Sequence, residues 1–270
     1  MNGIVINIDP VIFQIGGFEF RWYSLAVITA AFAVLFLAVK GARRRGISSQ
    51  SVYGMAPWVM VGAILGARFF HVLDHIGYYS AHPAQILQFQ QGGLAIWGAL
   101  IGGGIAMVAY SRLEKISLPV LLDVMVPALL VGQIIGRFGC IVNGDAAGSV
   151  TGLPWGFIYV HPSASIPAAL AGVPTQPYPV YEMLWNGASL LVLLNLRRRV
   201  KQDGALFASY LVIYALGRLV LTTVRQETVL FWGLQEAQVI ALVAFTMAGA
   251  IFAWLYRRGH APVREAKQES

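Results

Sequence analysis

The sequence predicts an all-α integral membrane protein with seven transmembrane helices, and three observations carry that expectation. First, 57% of the 270 residues are hydrophobic and only 11% are charged, with a mean hydropathy of +0.67. A soluble domain carries about 25% charge, so this chain lacks the polar surface needed to cover a globule. Second, several separate apolar runs approach the ~20 residues that a spanning helix needs. Third, most Lys and Arg fall in short turns between those runs. The net charge of +7 and pI near 9.7 therefore speak for membrane topology and against nucleic acid as a partner.

Taken in order, residues 1–20 read as a mixed arm (Asp9, Pro10, Gly16, Gly17, Glu19) lying on the membrane surface. It has no Lys or Arg before its apolar stretch, so no cleavable signal is expected. Arg21, Trp22 and Tyr23 form an interfacial cluster, and the first span covers 23–39. The second covers 52–73, with Arg68 inside its far end. The third, 92–110, repeats glycine at Gly98, Gly102, Gly103 and Gly104, which lets helices approach closely. The fourth covers 118–135 and is followed by a polar, Gly/Pro-rich extracytoplasmic loop region, about 136–179. Spans five to seven cover 181–196, 204–224 and 234–255. Residues 1–260 then form a single polytopic domain, with 261–270 a disordered cytoplasmic tail. No internal repeat of the transporter kind is visible.

Charge predicts the orientation. Lys40, Arg43, Arg44, Arg45, Arg112, Lys115, Arg197, Arg198, Arg199, Lys201, Arg257, Arg258, Arg264 and Lys267 make 14 of the 19 basic residues. In a seven-span chain all of them lie on one side. By the positive-inside rule that side is cytoplasmic, so the N-terminus is outside and the C-terminus inside. The other five are all arginine: Arg21, Arg68, Arg137, Arg218 and Arg225, each at or near an outer span end.

Two of these arginines stand out. Arg137 opens a stretch, GRFGCIVNGDAAG at 136–148, that also holds Cys140, Asn143 and Asp145 among four glycines. Arg218 lies within its span, and Tyr214, Arg218, Thr222 and Arg225 recur at helical spacing on one face. Interfacial anchoring accounts for an isolated arginine, and Arg68 and Arg225 remain open to that reading. Several guanidiniums converging below the outer surface instead form a site for a membrane-borne anion. The planar guanidinium fork suits phosphate oxygens, so the natural ligand is a phospholipid headgroup.

With those residues in view, the chain resembles the prolipoprotein diacylglyceryl transferase family over nearly its whole length. The resemblance rests on RWYSLA at 21–26, GARFFHVLDHIGYY at 66–79, QGGLAIWGALIGGG at 91–104 and the 136–148 stretch. That stretch occupies the family signature, close to GRxGNFxNxE. QPYPVYE at 176–182 is similar to the HPxQLYE block, and YALGRLVLTTVRQE at 214–227 to the YxxFRFxxExxRxP block. The resemblance implies transfer of a diacylglyceryl group from phosphatidylglycerol to the lipobox cysteine of a prolipoprotein signal peptide, releasing glycerol 1-phosphate. It implies a bacterial plasma membrane location, with the site toward the extracytoplasmic face. Arg137 and Arg218 match the family's principal arginines. Tyr23, Asn143, Gly148 and Tyr214 match functional positions, and Arg225 matches a retained arginine. Trp97 and Gln176 replace histidines, Cys140 replaces an asparagine, Asp145 a glutamate and Thr222 an acidic residue.

The implied chemistry breaks a carbon–oxygen bond and makes a carbon–sulfur bond. Thiolate is the nucleophile and a free thiol ionises near pH 8.5, so a proton acceptor is required. Asp145, Glu182 and a phosphate oxygen of the lipid itself are the candidates. Arg137 and Arg218 suit charge stabilisation on the leaving phosphate, with Arg68, Arg225, Asn143, Gly148 and Glu182 as further substrate contacts. Tyr23 and Tyr214 can donate hydrogen bonds to the headgroup. Cys140 reads as a small buried hydrophobe rather than a covalent nucleophile, since no histidine lies nearby in sequence to activate it. His71, His75 and His82 lack a further placed ligand for a metal set, and neither metal nor cofactor is expected. An anion transporter and a non-catalytic lipid- or lipoprotein-binding homologue are the competing readings.

Overall fold

The structure, a computed structural model, describes residues 3–88, 93, 95–225, 229–231 and 234–259. The expected start of the third span at Gly92, together with Gln91, Glu227, Trp232 and residues 260–270, falls outside that set. The described chain is mainly helical. It runs through strands β1 (Ile4–Ile6), β2 (Val11–Ile15) and β3 (Phe18–Arg21), then helices α1 (Trp22–Arg43), α2 (Ser49–Asp74), α3 (Ile76–Ala81), α4 (Ile96–Leu113) and α5 (Leu118–Asn143). Strand β4 (Phe157–Tyr159), helices α6 (Tyr178–Leu196) and α7 (Ala205–Leu221), strands β5 (Val229–Phe231) and β6 (Leu234–Gln235), and helix α8 (Glu236–Gly259) complete it.

Among the described residues, six helices are long and apolar enough to cross a membrane: α1, α2, α4, α5, α7 with its short continuation to Val224, and α8. Large apolar side chains stand exposed along them, such as Phe32, Leu65, Leu100 and Phe245. In water that surface would be costly at about 25 cal/mol per Å²; against lipid tails it is matched. The protein is an integral membrane protein. Two compact units are distinguishable, residues 35–124 and residues 1–34 with 125–270. The chain passes between them within α1 and within α5.

In the unit of residues 35–124, α2 and α4 pack antiparallel through their glycines. A side chain on Gly66 would run into the Gly98 carbonyl, and one on Gly102 into the Gly62 carbonyl. Gly54 sits under the Tyr110 hydroxyl on the same alternation. Small residues four apart on both helices bring the backbones into contact. Gly104, by contrast, faces open space. At its start α2 is capped by Ser48, whose hydroxyl accepts from the Gln50 amide at 3.2 Å.

In the other unit, the later part of α5 packs with α6, α7 and α8 around Val126, Leu130, Leu193, Leu206, Tyr210 and Leu211. Helix α8 contributes Ala237, Ala241, Ala244 and Ala248, all buried, a small-residue stripe that seats it against α7. Helix α6 runs beside α7 over most of its length. Near one end Tyr178 meets Arg218 at 3.0 Å, and further along the Trp185 indole donates to the Ile213 carbonyl at 3.2 Å. Leu193, near the other end, is fully buried in the shared core.

Several expectations are corrected in detail. The N-terminal arm, read from sequence only as mixed, carries strands: β1 pairs in parallel with β4, and β2 and β3 form a hairpin turned at Gly16, whose φ of 61° favours glycine. The 136–148 stretch is not a glycine-rich turn throughout. Helix α5 continues to Asn143, and only Gly144, with φ 79°, takes the left-handed conformation. A helix tolerates Gly136 and Gly139 at about 1 kcal/mol each. Gly139 has a use in return, because a Cβ there would come within 2.9 Å of Ala26 and 3.0 Å of Tyr23 Cα. Helix α6, over the segment expected as the fifth span, begins earlier than 181, at Tyr178, with Pro179 in the first turn where a missing N–H is tolerated.

Candidate functional site: an arginine cluster at the ends of three helices

Helices α5, α6 and α7 each deliver one ionised side chain to a single point. Arg137 stands near the C-terminal end of α5, Glu182 in the first turns of α6, and Arg218 in the last turn of α7. The Glu182 carboxylate joins the two arginines. Its Oε2 pairs with Arg137 Nε and its Oε1 lies 2.8 Å from an Arg218 terminal nitrogen. Glu182 is 5% exposed, so the pairing is sheltered from solvent. Tyr214, one turn before Arg218 on α7, accepts from Arg218 Nε at 3.1 Å.

Tyr178 lies at the centre, fully buried. Its hydroxyl accepts from Arg218 at 3.0 Å and donates to Glu182 Oε1 at 3.1 Å. Its ring is approached by the Arg225 guanidinium at 4.9 Å and by that of Arg137 at 5.9 Å. Arg225 reaches the cluster because the chain past α7 makes an antiparallel bridge to Gly148. Gly148 is required there: a Cβ would meet Gln176 at 2.6 Å and the Val224 carbonyl at 2.7 Å. Its part in the site is to let three segments cross.

A second group adjoins Arg137. Its guanidinium lies 3.6 Å from the Cys140 sulfur, and Asp145 lies near enough to act electrostatically on the same thiol. Asp145 is exposed, and Tyr23, 39% exposed, lies in the field of Cys140, Asp145 and Arg137. Asn143 is held at the end of α5, accepting from Arg21 at 3.2 Å while Arg21 also donates to Ser165 and Glu19. Nearby, Tyr159 donates to the Ile141 carbonyl at 3.0 Å. Burial, with Asp145 and Cys140 adding to it, raises the Tyr159 hydroxyl pKa well above the ordinary tyrosine value.

Of the five arginines expected near outer span ends, the structure brings together Arg137, Arg218 and Arg225. Arg21 serves the Asn143 network. Arg68 belongs to the unit of residues 35–124, where its guanidinium donates to the carbonyls of Gln85, Ile86 and Gly93 at 2.6, 2.8 and 3.1 Å. Thr222 donates to the Arg218 carbonyl of its own helix. Tyr178 was missed in the sequence. It sits inside the QPYPVYE block, four residues before Glu182, and that helical spacing was the available signal.

Three guanidiniums around one carboxylate carry a surplus of positive charge, and Arg137 and Arg218 have side-chain exposures of 20% and 18%. Partly buried arginines pair strongly with phosphate oxygens. Fold and cluster together define a polytopic membrane protein with three guanidiniums gathered about one tyrosine and one carboxylate. The model of the prolipoprotein diacylglyceryl transferase family matches residues 10–254, and the chain belongs to that family. A protein of Pediococcus pentosaceus called phosphatidylglycerol–prolipoprotein diacylglyceryl transferase is 33% identical over 261 residues, covering 96% of this chain and 93% of the relative. Relatives of the same description from Synechocystis sp. and Trichormus variabilis are 36% and 35% identical, each over 92% of this chain, and over 89% and 90% of their own lengths.

Proposed function

We propose that this chain is an enzyme that transfers the diacylglyceryl group of phosphatidylglycerol to the thiol of a prolipoprotein lipobox cysteine. The observation that carries the reading is the convergence of Arg137, Arg218 and Arg225 on Tyr178 and Glu182, in segments that carry the family resemblance. In the reaction the substrate thiolate forms a bond to the glycerol carbon bearing the phosphate ester. The carbon–oxygen bond breaks, its electron pair leaves on the phosphate oxygen, and glycerol 1-phosphate departs. Arg137 and Arg218 receive the growing phosphate charge, a contribution worth roughly 10²–10³ in rate per donor. For this the phosphate displaces Glu182 from at least one guanidinium. Tyr214 and Tyr23 donate hydrogen bonds to the headgroup. Asn143 and Gly148 hold the walls of the site.

The thiol proton goes to Asp145, exposed beside Tyr23 and Cys140. Glu182 is less suited because both its oxygens hold guanidiniums. The protein resides in the bacterial plasma membrane with seven spans, α6, fifth in chain order, joining the six long apolar helices. In support, α6 runs beside α7 from Tyr178 to Leu193, and Arg197, Arg198, Arg199 and Lys201 follow its far end. By the positive-inside rule that far end is cytoplasmic and the arginine cluster faces out.

The test is expression in a bacterium depleted of its own diacylglyceryl transferase, paired with purified protein, phosphatidylglycerol and a lipobox peptide. Lipoprotein lipidation and thioether product, both lost in Arg137→Ala, are expected. Neither appearing, with protein present in the membrane and an active relative run in parallel, overturns the proposal.

A further inference from the structure

We propose that Tyr178 is a positioning residue of the site: it sets the three guanidiniums for the headgroup phosphate and recruits Arg225 as the third. The inference rests on the headgroup-binding reading given above and goes beyond it. A tyrosine hydroxyl has one donor and two acceptor positions. Here the donor goes to Glu182 Oε1 at 3.1 Å, and an acceptor position takes Arg218 at 3.0 Å. Both partners belong to the cluster.

The ring is used as well. Arg225 and Arg137 lie 4.9 and 5.9 Å from its centroid, within the reach of a cation–π attraction. One side chain thus touches all four ionised groups. A phosphate in their midst meets guanidiniums whose directions Tyr178 has already restricted, which lowers the ordering cost of binding. Tyr178 itself, with no exposed surface, does not contact substrate.

In the block HPxQLYE, Tyr178 stands at the open position. Its ring packs against Cys140 and Ala146, and Cys140 is a departure, a small apolar side chain where the signature carries asparagine. The smaller, apolar residue on α5 thus adjoins the bulky ring on α6.

The experiment uses the purified full chain and glycerol 1-phosphate as probe, read by calorimetry, alongside thioether kinetics. Tyr178→Phe keeps the ring and removes the hydroxyl. It should weaken glycerol 1-phosphate binding and lower kcat about tenfold, with KM for the lipobox peptide within about twofold; a donor lost outright costs roughly 10²–10³. Combined with Arg225→Ala, its effects should be non-additive, as for residues acting through one another. Unchanged binding and kcat in Tyr178→Phe overturn the proposal. So do additive effects, or a loss of folded protein with the remaining fraction binding normally. If the unmodified chain binds glycerol 1-phosphate, loses that binding in Tyr178→Phe, and yet makes no thioether, the transferase reading fails while the positioning role stands. If the unmodified chain does not bind the probe, the positioning role falls with the anion site.

Discussion

Arg68 and Arg218 are both largely buried arginines near the C-terminal end of a long apolar helix, and the structure puts them to different uses. Arg68 spends its guanidinium on three backbone carbonyls, of Gln85, Ile86 and Gly93. It ties the segment after α3 back to α2. Arg218 meets a carboxylate and two tyrosine hydroxyls. Carbonyls cannot leave without unfolding the backbone that bears them. A carboxylate on a side chain can yield its place to another anion. On the proposed reading, the difference between a structural and a ligand-binding arginine lies in the partner, since burial and helix position are alike.

Substitutions can break or sharpen that contrast. The largest effect is expected at the cluster: Arg137→Ala or Arg218→Ala should each lower thioether formation by about 10³-fold or more with the fold retained. Arg218→Lys should lose most activity as well, because a point charge lacks the planar fork; full activity there would show that charge alone suffices. Glu182→Ala should come next. It leaves two partly buried guanidiniums without their shared carboxylate, a change that typically costs about 3–5 kcal/mol, readable as a fall in thermal midpoint of the purified protein.

Arg68→Ala should reverse the pattern seen at Arg218. Losing a donor to three carbonyls should destabilise by about 2 kcal/mol, while the folded fraction keeps its KM for phosphatidylglycerol within about twofold. A large rise in KM at normal stability would instead place Arg68 among the substrate contacts. The smallest effect concerns Tyr159, whose pKa is raised by burial. A hydroxyl that ionises more readily in the unfolded chain makes stability fall as pH rises above about 10. Tyr159→Phe should flatten that part of the curve relative to the unmodified chain; an unchanged slope would remove Tyr159 as its source.

Much of this was legible in sequence for local reasons. Hydropathy marked the long helices because a spanning helix must satisfy its own backbone and present apolar side chains to lipid. Repeated glycines in the third span announced a close helix approach, since the spacing alone places Gly98 and Gly102 on one face; that α2 is the partner came from the structure. Which glycine on α4 faces its partner was not legible, and Gly104 proved to face open space while Gly98 and Gly102 carry the contact. The continuation of α5 through Gly136 and Gly139 was likewise hidden, because glycine permits both helix and turn and Tyr23 and Ala26, distant in sequence, decide between them.

The site divides the same way. Arg137, Arg218 and Glu182 could be named from charge placed against apolar runs and from the family blocks. Tyr178 could not, because its importance comes from what meets it: arginines from positions 137, 218 and 225, brought together by helix packing. By itself the sequence determined the membrane class, the helices and the excess of arginine at their ends, all consequences of composition and short-range periodicity. Tertiary structure decided which arginines share a carboxylate, which one is tied to backbone, and that a buried tyrosine stands among them. Those are distances between residues far apart in the chain, and only the packed helices set them.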